Sequence, residues 1–119
     1  MNTFVKAAAI ATVVFAGALP AGSATFAAWK VTDLAFGDTL NVRKYPASNS
    51  QKQAAYPAGT VLQMTGRCTN GVNLLDTAGL PAWKQRQAVR HAWCEIWHDP
   101  ARNGQFTTGW VYGRYIAPR

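Results

Sequence analysis

The chain contains few of the residues from which catalytic and metal sites are built. Its 119 residues include two cysteines, two histidines and five acidic residues. Two cysteines and two scattered histidines supply too few clustered ligands for zinc, and five well-separated carboxylates do not predict a glycosidase pair. The sequence also lacks a glycine-rich phosphate loop. These shortages favour a protein that binds over one that catalyses, and they predict no metal and no cofactor.

The apolar run at the N-terminus is typical of a secretory signal peptide. Lys6 supplies the positive charge, residues 7–19 are apolar, and a Pro-Ala-Gly break follows. Small residues then offer cleavage sites after Ala24 or after Ala27. The run is short for a membrane span. Residues 1–27 are therefore predicted to direct export, so that the mature protein is secreted or periplasmic with no stable membrane span; an uncleaved anchor is the alternative.

The predicted mature chain is basic. Eleven of the twelve Lys and Arg residues and all five acidic residues follow residue 27, which gives a formal net charge of +6. The positive charge is spread along the chain without a dense run. It is explained either by attraction to anionic polymers or membrane surfaces, or by the need to keep a small exported protein soluble. Because an exported protein rarely meets nucleic acid, no nucleic-acid partner is predicted.

Short alternating segments between glycine and proline turns predict an all-β barrel or sandwich in residues 28–119. The predicted strands cover residues 29–34, 39–43, 60–68, 92–98 and 108–112. Residues 45–56 are predicted to form a polar loop. Alternation assigns one set of side chains to the core: Leu40, Val42, Leu62, Met64, Ile96, Val111 and Ile116.

Four short motifs occur in a defined order along this domain. They are TLNVR at residues 39–43, PAGTV at 57–61, WCEI at 93–96 and GWVYGRYI at 109–116. Together they resemble bacterial SH3-like domains, often called SH3b, and they cover most of the mature chain. The resemblance implies a small barrel of five or six strands.

The sequence departs from the SH3-like pattern in two places. Tyr45 lies where the family has a glycine-containing turn, which implies a loop of different shape because glycine adopts positive φ more cheaply. Residues 69–92 replace a short connection between the second and third strands of the family. Pro81 is suited to the first position of a helix that continues to Val89. This helical insertion is expected either to form a wall of the ligand groove or to cover the barrel edge.

The two cysteines are predicted to pair with each other. Cys68 and Cys94 both belong to the inward set, at facing ends of two predicted strands, in an exported chain. A catalytic role for Cys94 with His98 is disfavoured, because residues four apart on one strand are roughly 13 Å from each other. A nucleophile and its base need hydrogen-bond contact. The sequence therefore predicts no catalytic residue.

The candidate binding residues come from the resemblance to the ligand surface of SH3 folds. The expected groove residues are Arg43, Tyr45, Trp93, Trp97, Trp110, Tyr112 and Tyr115. About half of the five rings from Trp93 onward are expected to be substantially exposed, since the others must pack in a small core. The insertion is expected to form one wall and the loop around Tyr45 the opposite wall.

The resemblance implies a monomeric, non-catalytic exported module that binds peptidoglycan peptide or another envelope protein. The alternative is an accessory or inhibitor subunit that docks on one specific protein through the insertion at residues 69–92. Binding to purified sacculi distinguishes the two.

Overall fold

Seven antiparallel strands and three short helices make up residues 28–119, the part of the chain that the computed structural model describes. The strands are β1 (Ala28–Val31), β2 (Thr39–Arg43), β3 (Lys52–Pro57), β4 (Val61–Cys68), β5 (Trp93–His98), β6 (Thr107–Tyr112) and β7 (Ile116–Pro118). The helices are α1 (Leu74–Thr77), α2 (Ala82–Val89) and a 3-10 helix (Gly113–Tyr115). The predicted signal peptide at residues 1–27 lies outside the described residues.

The strands form one strongly curved sheet. Their order is β3-β2-β6-β5-β4-β1-β7, so β2 and β6 lie between β3 and β5. The Tyr56 hydroxyl on β3 is nevertheless 2.8 Å from Nδ1 of His98 on β5. This contact requires the β3 end of the sheet to fold over its centre. The curvature gives the sheet an inner face, and the core lies there.

Strand alternation fills this inner face with apolar side chains. All seven predicted core residues are buried: Leu40, Val42, Leu62, Met64, Ile96, Val111 and Ile116. The prediction of the core is confirmed. The same face also receives Trp29 and Val31 from β1, and Leu74 and Val89 from the helices. Successive residues of a strand point to opposite faces, which explains why the sequence pattern identified the inward set.

The prediction of a loop at residues 45–56 was wrong in its second half. β3 begins at Lys52 and pairs with β2, with Leu40 opposite Tyr56 and Val42 opposite Ala54. Ala54 and Tyr56 pack against the core. This strand was not predicted because its alanine and glutamine residues do not form an alternating hydrophobic pattern. A short β7, which pairs with β1, brings the number of strands to seven instead of five or six.

The cysteine pair links the ends of β4 and β5. Cys68 lies directly opposite Cys94 in the strand register. Their sulfur atoms are 2.13 Å apart, which is a disulfide distance, and both residues are buried. The predicted pairing is confirmed. In the chain-entropy model, closing a loop of this length stabilises the fold by about 3 to 4 kcal/mol.

Helices α1 and α2 occupy the segment between the paired cysteines. Asn73 caps α1, because its side-chain oxygen accepts a hydrogen bond from the Leu75 backbone at 2.9 Å. Helix α2 lies where the sequence predicted a helix, with Pro81 at the N-cap, one residue before the helix. Its last residue, Val89, is fully buried. The segment therefore packs onto the sheet and does not project from it.

Gly113 allows the close approach of this segment to the 3-10 helix. Its backbone N–H donates to the Ala92 carbonyl at 2.7 Å. A Cβ at residue 113 would overlap the carbonyl oxygen of Val89. Only glycine therefore fits between the end of α2 and the 3-10 helix without displacing backbone.

We predict that Gly113→Ala destabilises the domain by about 2 kcal/mol, because the backbone of Val89 must move to make room. Gly79→Ala is the matched control, since a Cβ there meets nothing within 4 Å; it should change stability by less than about 0.5 kcal/mol. Thermal or urea unfolding of the oxidised proteins measures both. Equal stability of the two variants would show that α2 does not pack against the 3-10 helix.

Candidate ligand groove

A cleft of about 690 Å³ opens between the β1–β2 loop and the 3-10 helix. One wall is a row of three rings: Trp93 at the start of β5, Tyr112 at the end of β6, and Tyr115 in the 3-10 helix. The ring centroids of Trp93 and Tyr112 are 5.3 Å apart, and those of Tyr112 and Tyr115 are 6.3 Å apart. We call this cleft the aromatic groove.

The strand register explains this row of rings. Trp93 lies directly opposite Tyr112 in the β5–β6 ladder. Their neighbours Cys94 and Val111 point inward and are fully buried, so the two rings must point outward. All three rings are half-buried. Each ring is therefore held in place by packing on one side and presents the remainder of its surface to the groove.

The charged residues of the groove carry both signs. The β1–β2 loop contributes Asp33 and Asp38, and β2 contributes Arg43. Arg114 of the 3-10 helix lies beside the rings, with its guanidinium 5.7 Å from the centre of the Tyr115 ring. Arg43 is held in position because its Nη1 donates to the Ser50 carbonyl at 3.1 Å. The groove thus combines apolar rings with two carboxylates and two guanidinium groups. This combination suits a ligand with both apolar and charged parts, such as an extended peptide.

Four of the seven predicted groove residues line this groove: Arg43, Trp93, Tyr112 and Tyr115. Tyr45 lies outside its lining. The Tyr45 side chain is 61% exposed, and its ring is 5.6 Å from Nζ of Lys44. The backbone N–H of Tyr45 donates to Oγ of Ser50 at 2.9 Å, and this hydrogen bond stabilises the loop.

Trp97 and Trp110 lie further along the same outer face of the sheet, also outside the lining of the groove. Trp110 faces Glu95 across the strands. The guanidinium of Arg67, which forms an ion pair with Glu95 at 3.1 Å, lies 5.4 Å from the centre of the Trp110 ring. Trp97 is 47% exposed. Among the five predicted groove rings from Trp93 onward, Trp97 is the single exposed one, whereas about half of them were expected to be exposed.

The β1–β2 loop forms the wall that was predicted for the insertion at residues 69–92. Within the described chain, no residue of 69–92 lines the aromatic groove. The wall comes instead from Asp33, Leu34, Ala35 and Asp38. Asp33 adopts a positive φ of 59°, which ends β1 three residues earlier than predicted. The sequence holds one signal for this wall, the Phe-Gly-Asp run at residues 36–38, which is typical of a turn.

A second cleft of about 390 Å³ adjoins the aromatic groove. Helix α2 lines it with Trp83, Arg86, Gln87 and Arg90, and the 3-10 helix adds Gly113 and Arg114. Asp33 completes the lining and forms an ion pair with Arg86. We call this the arginine cleft. Because Asp33 and Arg114 belong to both clefts, the two share an edge.

A buried polar cluster lies on the inner face, centred on His98, which is 5% exposed. The imidazole Nε2–H donates to Oε1 of Gln53 at 3.0 Å, and Nδ1 accepts from the Tyr56 hydroxyl at 2.8 Å. These bonds suit the neutral ring. Burial lowers the pKa of His98, against a smaller opposing effect of Asp99. Both ring nitrogens are occupied and the Cys94 sulfur is bonded to Cys68, so this pair offers no nucleophile and base.

Within residues 28–119 there is no group of three or more His, Cys, Asp or Glu side chains that could hold a metal ion. In the same part of the chain, no helix has both the length and the apolar character needed to cross a membrane.

Comparison of the chain with protein-family models, with curated proteins and with solved structures found no match. The comparisons therefore add nothing to the resemblance to SH3-like domains, which was inferred from the four sequence motifs.

We predict that acid weakens the fold through His98. Because burial lowers the pKa of this histidine in the folded state below its ordinary value of 6.5, the unfolded chain takes up the proton first. The contribution of neutral His98 to the free energy of unfolding is fully present above about pH 6.5. It is lost as the pH drops from there through the lower folded-state pKa. The Tm should therefore decrease between pH 7.5 and pH 5.5.

Replacing His98 tests the source of this pH dependence. His98→Gln should remove most of the decrease in Tm over that pH range, whereas His91→Gln, at an exposed histidine, should leave it unchanged. A pH dependence that persists in His98→Gln would assign the effect to another group.

Proposed function

We propose that this protein is an exported, non-catalytic module with an SH3-like barrel, which binds an extended peptide of the bacterial cell envelope in the aromatic groove. The peptide class is that of peptidoglycan stem or cross-bridge peptides. The observation on which the proposal depends is the row of three tilted rings, Trp93, Tyr112 and Tyr115, along one wall of the groove. The module acts as a monomer.

Two observations support the SH3-like part of the proposal. The four motifs occur in the family's order and fall on β2, on the turn before β4, on β5 and on β6 through β7. The sheet that they build is antiparallel and curved far enough for β3 to contact β5. Small barrels require this kind of curvature. The helices between β4 and β5 are then an insertion in such a barrel.

The export part of the proposal is supported by the cysteine pair. The bond between Cys68 and Cys94 is compatible with an extracellular protein, because disulfides form and persist in oxidising compartments. An N-terminal segment with a positive charge, an apolar run and small residues before position 28 fits a signal peptide.

The chemistry of the groove supports a peptide ligand. Rigid aromatic rings give contact area at a low cost in side-chain entropy, and extended peptides bind along such walls. A volume of about 690 Å³ is within the range of small-ligand sites. Peptides of the cell wall carry both ammonium and carboxylate groups, and the groove offers both carboxylates, from Asp33 and Asp38, and guanidinium groups, from Arg43 and Arg114.

We predict that Trp93→Ala weakens binding to purified sacculi by at least about tenfold, because a well-packed aromatic residue of a binding site often contributes about 2 kcal/mol. Tyr112→Ala should act in the same direction. Trp97→Ala is the matched control: it removes the same side chain from the same outer face of β5, at a position outside the groove. Its affinity should stay within about twofold of the unmodified protein.

Co-sedimentation with sacculi and thermal unfolding are measured on the same preparations. The proposal requires Trp93→Ala to remain folded at the assay temperature while its binding is lost. Equal binding by folded Trp93→Ala, Tyr112→Ala and Trp97→Ala would exclude the aromatic groove as the site. No binding of the unmodified protein to sacculi would exclude the cell wall as the ligand.

A further inference from the structure

Helix α2 exposes one face that combines an aromatic ring with positive charge. This face begins at Trp83 and includes the residues three, four and seven positions after it, which lie on the same side of a helix. They are Arg86, Gln87 and Arg90. Together with Gly113 and Arg114 they line the arginine cleft. The inner side of the helix is used elsewhere, because Val89 is fully buried in the core. The face toward the cleft is therefore available for a ligand.

The charges in this cleft are unbalanced. Three guanidinium groups face one carboxylate, that of Asp33, which pairs with Arg86. The Asp33 contact fixes the position of Arg86. Arg90 and Arg114 are both exposed, and no ion pair involves either of them within residues 28–119. The cleft therefore presents two uncompensated positive charges to an incoming group.

Trp83 places a large apolar surface beside these charges. Its side chain is 63% exposed, although tryptophan is usually well buried in a folded protein. Tryptophan and arginine are the residues most enriched among those that dominate protein–protein affinity. Guanidinium groups bind carboxylates through two parallel hydrogen bonds. An indole ring beside guanidinium groups therefore suits a ligand in which apolar and carboxylate side chains alternate.

We propose that the arginine cleft docks an acidic segment of a partner protein, with apolar side chains of that segment against Trp83 and its carboxylates on Arg90 and Arg114. The protein segment is favoured over an anionic polymer because a polymer would use the basic residues spread over the whole surface and would not need the ring. The two ligands meet only at the shared edge of the clefts, because Arg114 lines both of them whereas no residue of α2 lines the aromatic groove.

A peptide titration followed by NMR tests this inference. The probe is an acetylated hexapeptide of alternating glutamate and leucine, added to the oxidised, ¹⁵N-labelled protein. We expect saturable shifts of the Trp83 indole N–H and of the Gly113 and Arg114 amides. The same peptide with glutamine in place of glutamate should bind at least about fivefold more weakly, because it lacks the carboxylates.

Matched variants separate the cleft from general charge. Arg90→Gln and Trp83→Ala should each weaken binding by about fivefold or more. Lys52→Gln, at an exposed lysine on β3, removes the same charge away from the cleft and should change affinity by less than about twofold. Trp93→Ala, in the aromatic groove, should also leave the affinity for the acidic peptide unchanged.

Three results would overturn the proposal. One is an equal loss of affinity in Arg90→Gln and Lys52→Gln, which would indicate diffuse charge attraction. Another is full binding by Trp83→Ala together with the same shifts from inorganic phosphate, which would indicate a site for small anions. The third is a set of peptide-induced shifts at Trp93 and Tyr112 in place of Trp83. Melting curves establish that each variant is folded before its affinity is measured.

Discussion

The bond between Cys68 and Cys94 fastens the helical segment that forms the arginine cleft to the sheet. It joins the end of β4 to the start of β5 and closes the segment that contains α1 and α2. Beside it, the Thr69 backbone donates to the Trp93 carbonyl at 2.8 Å, and the Gly113 backbone donates to the Ala92 carbonyl at 2.7 Å. The closed segment is thus held against the 3-10 helix. The next residue of that helix, Arg114, lines both clefts.

The parts of the fold that follow from local alternation could be predicted from the sequence. A period of two residues assigned Ile96 and Val111 to the inside and Trp93 and Tyr112 to the outside, and the structure agrees. The same parity placed both cysteines on the inner face. These assignments need only neighbouring residues and no knowledge of the tertiary structure, which is why they could be made from one chain.

The parts that depend on tertiary contacts could not be predicted. β3 consists largely of polar and small residues and exists because it pairs with β2. The wall of the aromatic groove comes from the β1–β2 loop, whose position depends on how far the sheet curves. Trp110 was expected in the groove, but the ion pair between Arg67 and Glu95 lies next to its ring. No pattern along the sequence predicts that this ion pair lies next to the Trp110 ring.

If the aromatic groove binds the ligand, intermolecular NOEs will connect the ligand to the rings of the groove. An unlabelled peptidoglycan stem peptide is added to the ¹³C,¹⁵N-labelled, oxidised protein, and contacts between peptide protons and aromatic side chains are recorded. We expect NOEs to the rings of Trp93, Tyr112 and Tyr115 and none to Trp97. Contacts confined to Trp97, Trp110 or Trp83, or a peptide that gives no NOE at saturating concentration, would contradict this expectation.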